Sequence, residues 1–77
     1  MARAEIATVE VVTARFQMNM LKIRKEKGLT QTTLAKRIGC AVGYVSQLEA
    51  GVRDPSIEMI AKVAKGLGVD PQEMLAP

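Results

Sequence analysis

Apolar residues return along this chain at the three- and four-residue steps that place them on one side of a helix. Ile6, Val9, Val12, Phe16, Met20 and Ile23 make the first series; Leu34, Ala35 and Ile38 make the second, and Val45 and Leu48 the third. Ile57, Ile60, Ala61, Val63, Ala64 and Leu67 give a broader fourth face, and Met74 and Leu75 close a short fifth segment. The residues between these series suit helix ends. Thr30, Ser56 and Asp70 carry side-chain oxygens that cap free N–H groups, and Gly28, Gly39, Gly51 and Gly68 each follow a last helical turn. Leu29 is placed to staple onto Leu34. Asp70-Pro71-Gln72-Glu73 combines an N-cap, a proline at the first helical position and a glutamate at the third, a capping box with Val69 and Met74 as its staple. The pattern predicts an all-α domain of five helices.

The N-terminus is the one stretch where two periods compete. Its spacing continues the first helix backwards, yet Thr8, Val9, Val11, Val12 and Thr13 form a β-branched cluster that also suits a strand pairing across a dimer. We expect residues 1–10 to be an extension, the domain to occupy residues 11–77, and helix to begin near Val9 or Val11. Lys22, Arg24, Lys25 and Lys27 crowd the end of that helix, where cations complement the negative end of its dipole, so they imply no ligand by themselves.

The second and third series are only about two turns each and meet at the corner Ile38-Gly39-Cys40. Two short helices joined at a Gly-containing corner are the layout of a helix-turn-helix, whose second helix enters the DNA major groove. With Val45 and Leu48 turned inward, Val42, Gly43, Ser46 and Gln47 are left on the outer side, where base edges would lie. Gln47 can pair bidentately with adenine N6 and N7, and Val42 can touch a thymine methyl. Two features weaken this helix. Ala41 stands where a capping side chain is usual, at a cost of about 0.5–2 kcal/mol, and Gly43 adds roughly 1 kcal/mol relative to alanine. Val42 and Gly43 also bring no hydrogen-bonding side chain, so specificity is expected to lean on Gln47, methyl contacts, DNA shape or half-site spacing.

From Phe16 to Leu75, through FQMNMLKIRKEKGLTQ, LAKRIG, YVSQLEAG, PSIEMIAKVAKGLGV and DPQEML, the chain resembles the lambda-repressor/Cro-like regulators, the XRE family. The resemblance implies a five-helix lambda-repressor-like DNA-binding domain with a central helix-turn-helix. It implies that Arg24 pairs with Glu49, fixing the first helix against the recognition helix, with a solvated arginine as the lesser alternative. It implies that Gln31 binds a DNA phosphate from the first helical position, where otherwise a solvent-facing glutamine would do. Tyr44 matches a position that often reaches the backbone, although a tyrosine half-packed on the core edge is the ordinary alternative. Arg53 resembles loop residues that touch the next phosphates, and a surface arginine without a partner fits as well. Lys36 and Arg37 read as a solvated face. The family's C-terminal end, here Met74 and Leu75, commonly forms a two-fold dimer contact, and the position of Cys40 points inward. Ala41, Val42 and Gly43 depart from the family's polar pattern.

Composition narrows the choice of function. With 77 residues there is room for one domain, and a core this small benefits from further burial in a dimer. Apolar residues make up 48% against 3% aromatic, so the core is built from Leu, Ile, Val, Met and Ala, which favours helices over a sheet. A net charge of +3 and a pI near 9.4 permit a polyanionic partner without proving one. Cys40 is the single cysteine and histidine is absent, so no intrachain disulfide, zinc-finger spacing or His-dependent triad can form. No cofactor, no metal and no enzymatic activity are expected; Ser46 and Ser56 have no histidine to activate them. No apolar run approaches a membrane span and no secretory segment is present, which points to the cytoplasm of a bacterium or a phage-infected cell. The leading expectation is a dimeric, sequence-specific DNA-binding regulator, most simply a repressor or autoregulator on a palindromic operator. The alternative is an antitoxin-like or inhibitor module that uses Val42, Gly43 and Met74 as an apolar surface for a protein partner.

Overall fold

The computed structural model describes residues 8–77. Among these the chain forms five helices and no strand: α1 Val9–Glu26, α2 Gln31–Ile38, α3 Val42–Ala50, α4 Ile57–Leu67 and α5 Pro71–Leu75. The β-branched cluster is helical. Thr8 Oγ1 accepts from Val11 N at 3.2 Å to cap α1, and Thr13 Oγ1 donates to Val9 O at 2.9 Å, so both hydroxyls serve the helix rather than a strand. Helix therefore starts at Val9, the earlier of the two expected starts; Ile6 and most of the expected extension lie outside the described residues.

The remaining helix starts follow local capping chemistry. Thr30 Oγ1 accepts from Thr33 N at 3.0 Å and Ser56 Oγ from Met59 N at 3.0 Å. At α5, Asp70 Oδ1 accepts from Gln72 N at 2.8 Å while Asp70 N donates to Glu73 Oε2 at 3.0 Å, which completes the expected box. The corner between α2 and α3 turns on Gly39, whose φ of 82° lies in the left-handed region that other residues resist. Both Gly39 N and Cys40 N donate to Ala35 O, at 2.9 and 3.0 Å, and this closes α2.

Phe16, Met20, Leu34, Ala35, Val45, Leu48, Val63, Ala64, Leu67 and Met74 form one core to which all five helices contribute. Cys40 packs half-buried against it as a small apolar group. Where α4 crosses α2, Gly66 is buried because a Cβ there would lie 3.1 Å from Ile38 Cγ1 and 3.2 Å from Leu34 Cδ1. Arg37 reaches the same crossing and donates from Nη1 to Gly66 O at 3.2 Å, so it ties α2 to α4 instead of standing free in solvent. Asn19 Nδ2 donates to Met74 O at 3.0 Å and Ala76 O at 2.9 Å, which latches the C-terminal end onto α1.

Only one sector of the α4 face enters the core. Val63, Ala64 and Leu67 are inside, but Ile57, at the start of the helix, is 88% exposed. It lines an apolar groove with Ile60, Ala61, Pro71, Gln72 and Leu75, between α4 and α5.

Candidate nucleic-acid interface

The angle between α1 and α3 is set by a buried ion pair. Arg24 Nε and Nη2 donate to Glu49 Oε2 and Oε1 at 2.6 and 3.0 Å, a two-pronged arrangement that fits a guanidinium plane to a carboxylate. Arg24 Nη1 also donates to Leu29 O at 2.8 Å, so the same side chain fastens the α1–α2 loop. The hydrogen bond to Glu49 outweighs burial and raises the Arg24 guanidinium above its ordinary range. Both residues are nearly removed from solvent, and no buried side-chain polar atom among the described residues lacks a partner.

Gln31 joins this network. Its Nε2 donates to Glu49 Oε1 at 2.9 Å, which pins the amide at the first position of α2. Nε2 carries a second N–H besides the one given to Glu49, and it lies at the positive dipole end of α2, which favours an anion. The residue is half-buried and held, not freely solvated.

On α3, Gly43, Ser46 and Gln47 are exposed and Val42 is 45% exposed, while Val45 and Leu48 lie wholly inside. The outer side of the helix is therefore exposed, with Arg53 of the following loop lying against one part of it. Ala41 makes no side-chain cap bond, and the helix closes on Gly51. Tyr44 is half-buried on the core edge with its ring under the Arg53 guanidinium, 4.8 Å from the centroid. Arg53 Nε also donates to Gln47 Oε1 at 2.8 Å. The loop arginine is thus tied both to an edge and to a face of α3.

Met74 does not sit at the surface. Its side chain is fully buried because α5 turns that residue, and not Leu75, onto α1 and α4. The expected role of Met74 in a dimer contact is corrected accordingly: it belongs to the core, and Leu75, half-buried, lines the groove. For the same reason Val42, Gly43 and Met74 do not make one apolar surface.

Three links had no signal in the sequence: Gln31 to Glu49, Arg53 to Gln47, and Asn19 to the C-terminal carbonyls. Each joins residues at spacings outside helical periodicity, so only the relative placement of helices reveals them. Among the described residues no group of three or more His, Cys, Asp or Glu side chains is placed to hold a metal, and no helix is long and apolar enough to cross a membrane.

Comparison with known proteins agrees with this geometry. A helix-turn-helix family model, HTH_3, matches residues 20–74. The HTH-type transcriptional regulator y4dJ of Sinorhizobium fredii, itself uncharacterized, is 39% identical over 59 residues, covering 77% of this chain and 77% of that protein. The control protein C.BamHI of Bacillus amyloliquefaciens is 34% identical over 61 residues, covering 78% and 75%. Among solved structures, the restriction-modification controller protein C.AhdI from Aeromonas hydrophila superposes with a TM-score of 0.76 at 34% identity, over 87% of this chain and 98% of that one. The hypothetical transcription factor NHTF from Neisseria gives 0.81 at 33% identity, over 86% and 76%. A match of this extent, on a fold with the outer side of α3 exposed and α1 and α2 locked behind it, makes the chain a member of the XRE-type helix-turn-helix family of transcriptional regulators, a family of non-enzymatic DNA-binding proteins.

Proposed function

We propose that the protein binds double-stranded DNA sequence-specifically as a homodimer and regulates transcription by occupying a palindromic operator, most simply as a repressor or autoregulator. The observation that carries this reading is the exposed outer side of α3, held at a fixed angle by the buried Arg24–Glu49 pair. In this reading Val42, Gly43, Ser46 and Gln47 face base edges, while Gln31, Tyr44 and Arg53 border them on the phosphate side. Phosphate contacts supply most of the affinity and no sequence information; the α3 side chains supply the discrimination. The related control and controller proteins C.BamHI and C.AhdI support a regulator of this small type.

The apolar groove of Ile57, Ile60, Ala61 and Leu75 is the dimer surface in this reading. A two-fold contact there lets each copy cover the other's exposed Ile57 and carries two α3 helices to successive major grooves, about 34–36 Å apart.

Affinity for DNA must fall steeply with salt, because bound phosphates release counterions, whereas an apolar contact with a protein would not. Two substitutions then separate the roles. Gln47→Ala is expected to cost about 1–3 kcal/mol on the preferred duplex and little on random sequence, and equal losses on both in a competition assay would remove Gln47 from base reading. Gln31→Ala is expected to weaken the two duplexes alike, by about 1.5–3 kcal/mol for a lost bond to a charged group. Titration of that variant against each duplex checks this, and a loss confined to the preferred one would make Gln31 a reader of bases.

A further inference from the structure

Gln47 and Arg53 are bonded to each other in the free protein, and the bond changes what Gln47 offers. An unpaired glutamine amide presents an acceptor beside a donor, the complement of adenine's N6–H and N7. Here the acceptor, Oε1, already takes the Arg53 Nε–H at 2.8 Å. An arginine Nε can only donate, so the orientation of the amide is fixed: oxygen toward Arg53, NH2 away from it. The two terminal nitrogens of Arg53 make no hydrogen bond among the described residues, so they add further N–H donors to the pair. Tyr44 holds the guanidinium from below through its ring face, 4.8 Å from the centroid, and acts as a positioning residue.

The joined side chains therefore form a surface rich in donors and positively charged, with one of the two Oε1 lone pairs already taken. The base edge that fits it in the major groove is the one that only accepts, guanine O6 and N7. An adenine N6–H seeking the second lone pair of Oε1 would have to approach beside a cation, which repels a donor and attracts an O6.

We infer that Gln47 and Arg53 read DNA as one unit with a preference for guanine, Arg53 setting that choice by occupying the acceptor with which Gln47 alone would select adenine. This rests on α3 docking in the major groove. It replaces the adenine pairing expected of Gln47 by itself, and it gives Arg53 a part in specificity besides any phosphate contact.

The test is selection of bound duplexes from a random pool at low ionic strength with the wild-type chain, Gln47→Ala and Arg53→Ala. The position whose preference disappears in Gln47→Ala marks the base beneath that residue. Wild type is expected to select guanine there, and Arg53→Ala to select adenine, with the guanine-to-adenine ratio changing roughly tenfold or more. Any other base in wild type, guanine undiminished in Arg53→Ala, or no position altered by Gln47→Ala overturns the inference while leaving DNA recognition by α3 in place. A wild-type chain without preference among duplexes overturns both. Should Arg53→Ala bind too weakly to be selected, wild type is titrated against a duplex carrying 7-deazaguanine at the selected guanine. Loss of the N7 acceptor is then expected to lower affinity roughly tenfold, and unchanged affinity overturns the inference.

Discussion

Arg24→Ala is expected to destabilise the domain by about 3–5 kcal/mol, the range for breaking a buried ion pair by removing one partner. The cause is the carboxylate left behind more than the bond that is lost. Glu49 is 7% exposed and would keep only the neutral Gln31 amide as a donor, in surroundings where an uncompensated charge is costly. The Leu29 carbonyl loses its partner as well, so the α1–α2 loop loosens together with the α1–α3 angle. In a chain of 77 residues such a loss is a large part of the total, and DNA binding would fall with it. Chemical denaturation of the variant measures the effect. Arg24→Met combined with Glu49→Leu should recover most of the stability, since replacing both charges by apolar groups removes the orphan. A double variant no more stable than Arg24→Ala would mean that the pair contributes attraction and not merely compensation.

The second large effect is expected from Ile57→Glu, which should separate the proposed dimer while leaving the monomer folded. Ile57 is 88% exposed in the single chain, so the fold does not depend on it. In a two-fold contact each copy supplies one Ile57, and withdrawing about 1.5 kcal/mol of burial twice weakens association by about 3 kcal/mol, roughly a hundredfold, before the cost of desolvating the new carboxylates. Sedimentation equilibrium reads the association constant directly. An unchanged constant would place the dimer contact elsewhere on the surface. Binding to a two-half-site operator should fall with dimerisation, while binding to a single half-site should remain near its original weak value.

How far the chain could be read in advance follows from the range of each interaction. Helix starts were legible because capping acts within four residues: Thr30, Ser56 and Asp70 each cap the helix expected of them. The outer side of α3 was legible because Val45 and Leu48 fix the rotation of a two-turn helix. Helical period says which side faces inward but not how far along a helix the cover extends. Ile57 shares the phase of the α4 face and still lies beyond the core's edge. Met74 and Leu75 are adjacent, and only the docking of a five-residue helix decides that the first is buried and the second lines the groove. The interface showed the same division. The positions of Gln31, Gln47 and Arg53 followed from spacing and resemblance, but their hydrogen-bond partners depend on which turns of α2, α3 and the following loop come together, and those partners alter the chemistry that the side chains present.

The most direct measurement is the amide NMR spectrum of the 15N-labelled protein during titration with a duplex selected from a random pool. The expected perturbations concentrate at Gln31, at Val42 to Gln47 and at Arg53, with the α4–α5 groove unchanged once the protein is dimeric. Perturbations confined to Ile57, Ile60 and Leu75, with α3 unmoved, would contradict a recognition helix that meets DNA through its outer side.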